Sequence, residues 1–371
     1  MPPPPQPDPA WARARRVLAV RLDNLGDVLM TTPALAAIRH SLPQAHITLL
    51  ASPSGAMLQP HLPLVDEVIT HRASWMKHER PATALEEMSL VHRLAESGFD
   101  AAVIFTVCTQ SPLPAAMLCR LAGIPLRAAY CRENPYSVLT HWLPEPDLDV
   151  ATARHEVQRQ LDLCASLGWQ TPDPRLRFAL NEGDHASLAA KLRLAGLAPG
   201  GRWIVVHPGA TAASRRYPAE RFGEAAEAIA QDSGCGVVYT GGVAEQAVIA
   251  QAQAAMRRPS ISLAGALSLG ELGALVAGAQ ALVSNNSGPV HLAAALGTPV
   301  VDLYALTNPQ HTPWAVPSRV LNHDVPCRNC LKSVCPQGHH DCLAQVPAQA
   351  VAEAALQLMS APRATVSPLE S

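Results

Sequence analysis

Two phosphate-gripping signatures are missing from this chain. The first strand-to-helix turn lacks Gly-x-Gly-x-x-Gly, and no Walker A segment occurs anywhere, so dinucleotide oxidoreduction and P-loop hydrolysis have no support. Lysine is confined to Lys77, Lys191 and Lys332, and the formal charge of -2 leaves no electrostatic footprint for a nucleic-acid partner. Long apolar runs are absent too. The run 17–20 is far too short for a secretory segment or a membrane span, and no later segment supplies one, which points to a cytoplasmic protein.

What is present is globular and long. Of 371 residues 48% are hydrophobic, and the length suggests two domains. The proline-rich start, 1–15, is expected to be a disordered tail. Trp11, Arg13, Arg15 and the following Arg16 offer a basic, aromatic face for peripheral contact with an anionic membrane surface, against the plainer reading of a solvated tail. Apolar runs at 17–22, 47–51, 65–69 and 101–106 alternate with helical patterns at 28–40 and 84–97, the grammar of βαβ units and a parallel sheet. A long helix is expected over 149–168 and a strand over 175–180, with the domain junction between about 175 and 200. The second half repeats the grammar. The expected division is an N-terminal Rossmann-like domain over 16–185, a C-terminal one over 186–345, and a last helix and tail over 346–371.

The most informative stretch runs from Val283 to Pro299. A strand end leads into the polar turn Asn285-Asn286-Ser287-Gly288 and then a helix expected to open with Pro289 at its first position. Free N–H groups and the positive end of the helix dipole converge there, as a phosphate or diphosphate requires. Other polar groups fall at neighbouring strand ends: His207 and Gly209, then Arg215 and Arg216, then Gly241 with Glu245 in the turn that follows, and His291 inside the helix. Each has an ordinary explanation alone: a solvated arginine pair, a core histidine, a first-turn glutamate. Together they provide guanidinium, a helix start and a carboxylate able to grip ribose hydroxyls. That is the equipment for holding a nucleoside diphosphate and stabilising it as a leaving group. In the first half, Asp23 and Asp27 flank Gly26 at a strand end. Either could cap the following helix, and a carboxylate facing an interdomain cleft can also take a proton from an alcohol.

These motifs, in this order, resemble glycosyltransferase family 9, the family of the lipopolysaccharide heptosyltransferases, over roughly residues 15–358. The resemblance is carried by Arg21-Leu22-Asp23-Asn24-Leu25-Gly26-Asp27 with Thr32-Pro33-Ala34-Leu35, by His207-Pro208-Gly209-Ala210, by Arg215-Arg216-Tyr217-Pro218, and by Ser287-Gly288 with His291-Leu292-Ala293. It implies an α/β GT-B fold, two Rossmann-like domains whose parallel sheets face an interdomain cleft. It further implies inverting transfer of a heptose or similar sugar from an ADP-activated donor to a saccharide or lipid-linked saccharide acceptor, with no cofactor required for catalysis. Residue by residue, Asp27 matches the family's catalytic base and Arg215 its diphosphate-contacting lysine. Asn286, Ser287 and Gly288 match its Asp-Ser/Thr-Gly motif, and Glu245 its ribose-binding acid. Arginine at 215 and asparagine at 286 depart from the family pattern. Acceptor contacts are expected in loops such as 70–95 and 108–116. The competing readings are a GT-B-fold sugar-nucleotide epimerase or hydrolase and a non-catalytic sugar-nucleotide binding protein.

Nine cysteines complete the inventory. Five are scattered among apolar neighbours, whereas Cys327, Cys330, Cys335 and Cys342 crowd together around His339 and His340. In a cytoplasmic protein such density favours a structural zinc or iron over disulfides, the alternative being a loop of reduced thiols.

Overall fold

The computed structural model describes residues 8–77, 79–145, 153–197 and 200–361. The expected disorder of the first seven residues, the expected helix start at 149–152 and the tail after 361 lie outside the described residues. The chain divides into two units, Met1–Ala179 and Leu180–Ser371.

The first unit is built on β1 (Arg16–Arg21), β2 (His46–Ala51), β3 (Glu67–Thr70), β4 (Ala101–Ile104), β5 (Leu126–Cys131) and β6 (His141–Pro144). All pairings are parallel, in the order β3-β2-β1-β4-β5-β6. Strands 1 and 4 read as unbroken apolar runs because helices cover both faces of a parallel sheet. The helix Leu25–Ser41 is buried nearly all round from Val28 to Ile38. It tolerates Pro33 in its interior, which cannot serve the Leu29 carbonyl. The Thr32 hydroxyl donates to that carbonyl instead, at 2.6 Å.

The second unit repeats the plan with β7 (Trp203–His207), β8 (Gly236–Tyr239), β9 (Ile261–Ser262), β10 (Leu282–Asn285), β11 (Val300–Leu303) and β12 (Ser318–Leu321). Its order is β12-β11-β10-β7-β8-β9, again all parallel. In each unit the first strand to appear lies beside the fourth, and from that pair the winding runs outward in both directions. Loops that leave the carboxyl ends on either side of that junction diverge and open a crevice.

Three sequence expectations are corrected. Trp11 is no tail residue: it is fully buried, edge-on to Trp169 at 5.4 Å and to His141 at 5.1 Å, because a ring of that size gains more from an apolar slot than from solvent. Residues 175–180 form no strand. Arg177 N–H bonds to the Thr32 hydroxyl and Ala179 N–H to the His61 carbonyl, so the segment is held by single contacts rather than a ladder. Pro289 is the second residue of the helix Gly288–Leu296, with Ser287 as N-cap, a position equally free of an intrahelical acceptor. The expected last helix is present as Ala348–Ser360 and packs in the second unit's core, with Val351, Ala355 and Leu358 buried in it. Among the described residues no helix is long and apolar enough to cross a membrane.

Candidate active site

In the second unit the candidate residues gather at the carboxyl ends of β7, β8 and β10, around the junction of β7 with β10. Glu245 lies against the backbone of both flanking loops. A Cβ on Gly209 would collide with its carboxylate, and one on Gly241 would lie 2.9 Å from Oε2, so glycine at both positions is what admits the acid. Oε2 also accepts the Gly242 N–H at 2.8 Å and sits 3.9 Å from His207 Nε2. His207 is buried, and burial pulls its imidazole below the ordinary value, partly opposed by Glu245. Its Nδ1 meets the Thr240 hydroxyl at 3.1 Å. His207, Gly209, Gly241 and Glu245 are therefore brought together.

The arginine pair separates into two roles. Arg216 Nε donates to the Ala210 carbonyl at 2.8 Å. Arg215 is half-buried and its Nε has no hydrogen-bond partner among the described residues. The Arg215 loop is pinned to the end of β10: Tyr217 N–H donates to Asn285 Oδ1 at 2.9 Å, and Asn285 Nδ2 donates to the Pro208 carbonyl at 2.7 Å. Asn285 thus ties two loops of the site to one strand end. Sequence reading passed over it in favour of its neighbour.

Asn286 is buried, and its amide donates to Asp302 Oδ2 at 3.0 Å and to the His311 carbonyl at 2.9 Å. Ser287 caps the helix Gly288–Leu296 without a side-chain hydrogen bond to its N–H groups; its hydroxyl donates instead to the Asn285 carbonyl. The helix start keeps its donors for an anion. His291, one turn in, is buried in the helix rather than displayed at its mouth.

In the first unit, Asp27 closes a capping box on the helix Leu25–Ser41, accepting the Asn24 N–H at 3.1 Å. Gly26 lies inside that first turn and makes no sharp bend of its own. Buried Arg21 gathers three carboxylates: Asp23 at 2.9 Å, Glu156 at 2.9 Å and Asp27 at 3.4 Å. Burial alone would lower the Arg21 pKa, but these acids raise it. Burial pushes Asp23 up, against the pull of Arg21. Asp23 and Asn24 also line a cavity of about 940 Å³ with Ser54, Arg72, Trp75, Lys77, Arg80 and Gln110, and Gln110 donates to Asp23 at 2.7 Å. The two loops expected to meet an acceptor both contribute to this wall. Arg21 stood inside a quoted motif, but nothing local marked Glu156 as its partner.

Among the described residues the cysteines form no disulfide. Cys327, Cys330, Cys335 and Cys342 share with His339 and His340 a cavity of about 20 Å³, room for one small ion or water. The donor chemistry suits zinc or iron. As they stand, however, no three His, Cys, Asp or Glu side chains among the described residues are set to hold an ion.

A family model described as glycosyltransferase family 9 (heptosyltransferase) matches residues 88–340. Lipopolysaccharide heptosyltransferase 1 of Pseudomonas aeruginosa is 28% identical over 328 residues, covering 86% of this chain and 87% of that protein. Among solved structures, a family 9 glycosyl transferase from Veillonella parvula superposes with a TM-score of 0.78 at 23% identity, covering 93% of this chain and 97% of that one. The ADP-heptose lps heptosyltransferase II of E. coli gives 0.72 at 24% identity, covering 93% and 98%. The architecture described above is the one these structures share.

Proposed function

The chain belongs to glycosyltransferase family 9 (heptosyltransferase), and on that premise we propose that it moves a heptose, or a similar sugar, from an ADP-activated donor to a saccharide hydroxyl in lipopolysaccharide assembly. The observation that carries the reading is in the second unit, where an arginine unspent on protein acceptors shares β10's end with a helix start that no side chain caps. A departing diphosphate needs that combination, since charge develops on its oxygens as the sugar leaves. Glu245, pressed between two glycines, is assigned to the ribose hydroxyls.

Asp27 is assigned as general base. Its place in the first helical turn and its contact with Arg21 favour the ionised form that accepts the acceptor's proton. With one base and no enzyme nucleophile, displacement is direct and inverts the anomeric carbon. No metal is assigned to the chemistry. The cysteine cluster is assigned a structural zinc or iron, bound once the thiols close around the small cavity. The matched family is a transferase family, so the epimerase, hydrolase and silent-binder readings are not favoured. Cysteines that form no disulfide among the described residues support a reducing, cytoplasmic location, and an acceptor that is lipid-linked would bring the protein to the inner face of the membrane.

The test compares Asp27→Asn with Asp23→Asn in a transfer assay using ADP-heptose and a heptose-deficient lipopolysaccharide core. Asp27→Asn is expected to lose about 10²–10⁴-fold in kcat with donor affinity nearly unchanged. Full turnover in Asp27→Asn with a dead Asp23→Asn moves the base to Asp23, the carboxylate that lines the larger cavity.

A further inference from the structure

The first unit buries more negative charge than its base requires. Glu156, the first residue of the helix Glu156–Ser166, is wholly buried, and its Oε1 accepts from Arg21 Nη1 and from Gln160 Nε2, both at 2.9 Å. Its Oε2 lies 3.7 Å from Arg159, whose Nε donates to Glu145 at 3.0 Å. Among the described residues Arg21 and Arg159 thus serve four carboxylates: Asp23, Asp27, Glu156 and Glu145. Burying a carboxylate is costly, and a whole buried ion pair is often replaceable by apolar residues at no loss of stability, so such a cluster is weak evidence of a purely stabilising role. The Glu156 contact runs across 135 positions of sequence to the guanidinium that also meets Asp27.

We propose that Glu156 is a positioning residue that sets the basicity of Asp27 through Arg21, an inference that rests on Asp27 being the base. Glu156 takes a hydrogen bond from one end of the guanidinium and Asp23 takes the Nε side at 2.9 Å, which leaves Asp27 the longest contact, 3.4 Å. A base must stay ionised yet retain a drive to accept a proton. Arg21 at full strength would secure the first and weaken the second. Glu156 draws the cation away and adds its own negative potential, and both effects raise proton affinity at Asp27. Among the described residues the charged groups arrayed about Asp27 include Arg21 and Asp23 from the end of β1, Glu156 and Arg159 from the helix, and Glu145 behind Arg159.

Glu156→Gln keeps a hydrogen-bonding group of nearly the same shape and removes the charge. The acid limb of the kcat/KM–pH profile is then expected to move to lower pH, with plateau kcat down by about tenfold, as a weaker base transfers protons less well. Donor KM should hold. A residue that only braces the helix would lower Tm and leave the limb where it is, and that result overturns the proposal. If Glu156→Gln fails to fold, Glu156→Asp keeps the charge but withdraws it by one methylene; its limb should move the same way by less, and an unmoved limb again overturns the proposal. Asp27→Asn is assayed alongside. Turnover retained there removes the base assignment itself, whereas a dead Asp27→Asn with an unmoved Glu156→Gln limb removes only the role of Glu156.

Discussion

Arg215 and Arg216 are adjacent, identical in charge and opposite in use. Arg216 braces the loop after β7, whereas Arg215 Nε has no hydrogen-bond partner among the described residues, and on the proposed reading its guanidinium meets the donor diphosphate. Arg215→Ala is therefore expected to weaken ADP binding by about 1.5–3 kcal/mol, the range for a charge-assisted hydrogen bond, and Arg216→Ala by less. Titration calorimetry decides it, and equal ADP affinity in wild type and Arg215→Ala removes the placement. Asp302 is the other residue whose chemistry departs from its type. Burial pushes its carboxyl up to about 8, against the single hydrogen bond from Asn286. The folded protein then holds a proton that the unfolded chain releases near pH ~3.9. Stability from this group is complete below that pH and is lost as pH rises toward about 8, at up to ~1.4 kcal/mol per unit. Asp302→Asn should raise Tm over wild type by a margin that widens from pH 5 to pH 8. A margin that stays flat across that range contradicts the protonated acid.

At the scale of elements, the cysteine segment and the Arg215 loop are one assembly. Ser214 donates its N–H to the Ser333 carbonyl at 3.1 Å and its hydroxyl to the Lys332 carbonyl at 2.7 Å, between Cys330 and Cys335 in the chain. Whatever orders the thiols therefore orders the donor grip. Protein purified without oxygen is expected to carry near-stoichiometric zinc or iron, and removing it with a chelator should raise donor KM more than it lowers kcat. Metal-free protein with an unchanged donor KM would leave only reduced thiols. Element types were readable where local chemistry is strong. The helix starting at Leu25 was foreshadowed by the Asp23–Asp27 turn, and β10 by its apolar run into a polar turn. Short edge strands such as β9 and β12 carried too few residues to stand out, and Arg175–Leu180 alternates like a strand yet has no ladder partner.

Across the whole molecule, the two halves could be recognised as repeats of one α/β plan, because covered parallel strands must be apolar on both faces and their loops must carry the polar groups. The uncapped helix start, the cationic loop and the acid flanked by glycines were legible for the same reason: each is a local pattern whose chemistry depends on near neighbours. The order β3-β2-β1-β4-β5-β6 was not legible, and neither was anything that depends on it. Arg21 and Asp23 belong to one strand end, but Glu156, a further acid paired with Arg21, arrives on a helix far along the chain. Asn285 and Arg216 likewise became structural only when the loops folded beside one another, whereas Arg215 and Asn286 were already candidates from the sequence. Charge pairing and burial act through space, so their consequences cannot be read from spacing along a chain whose strand order is still open.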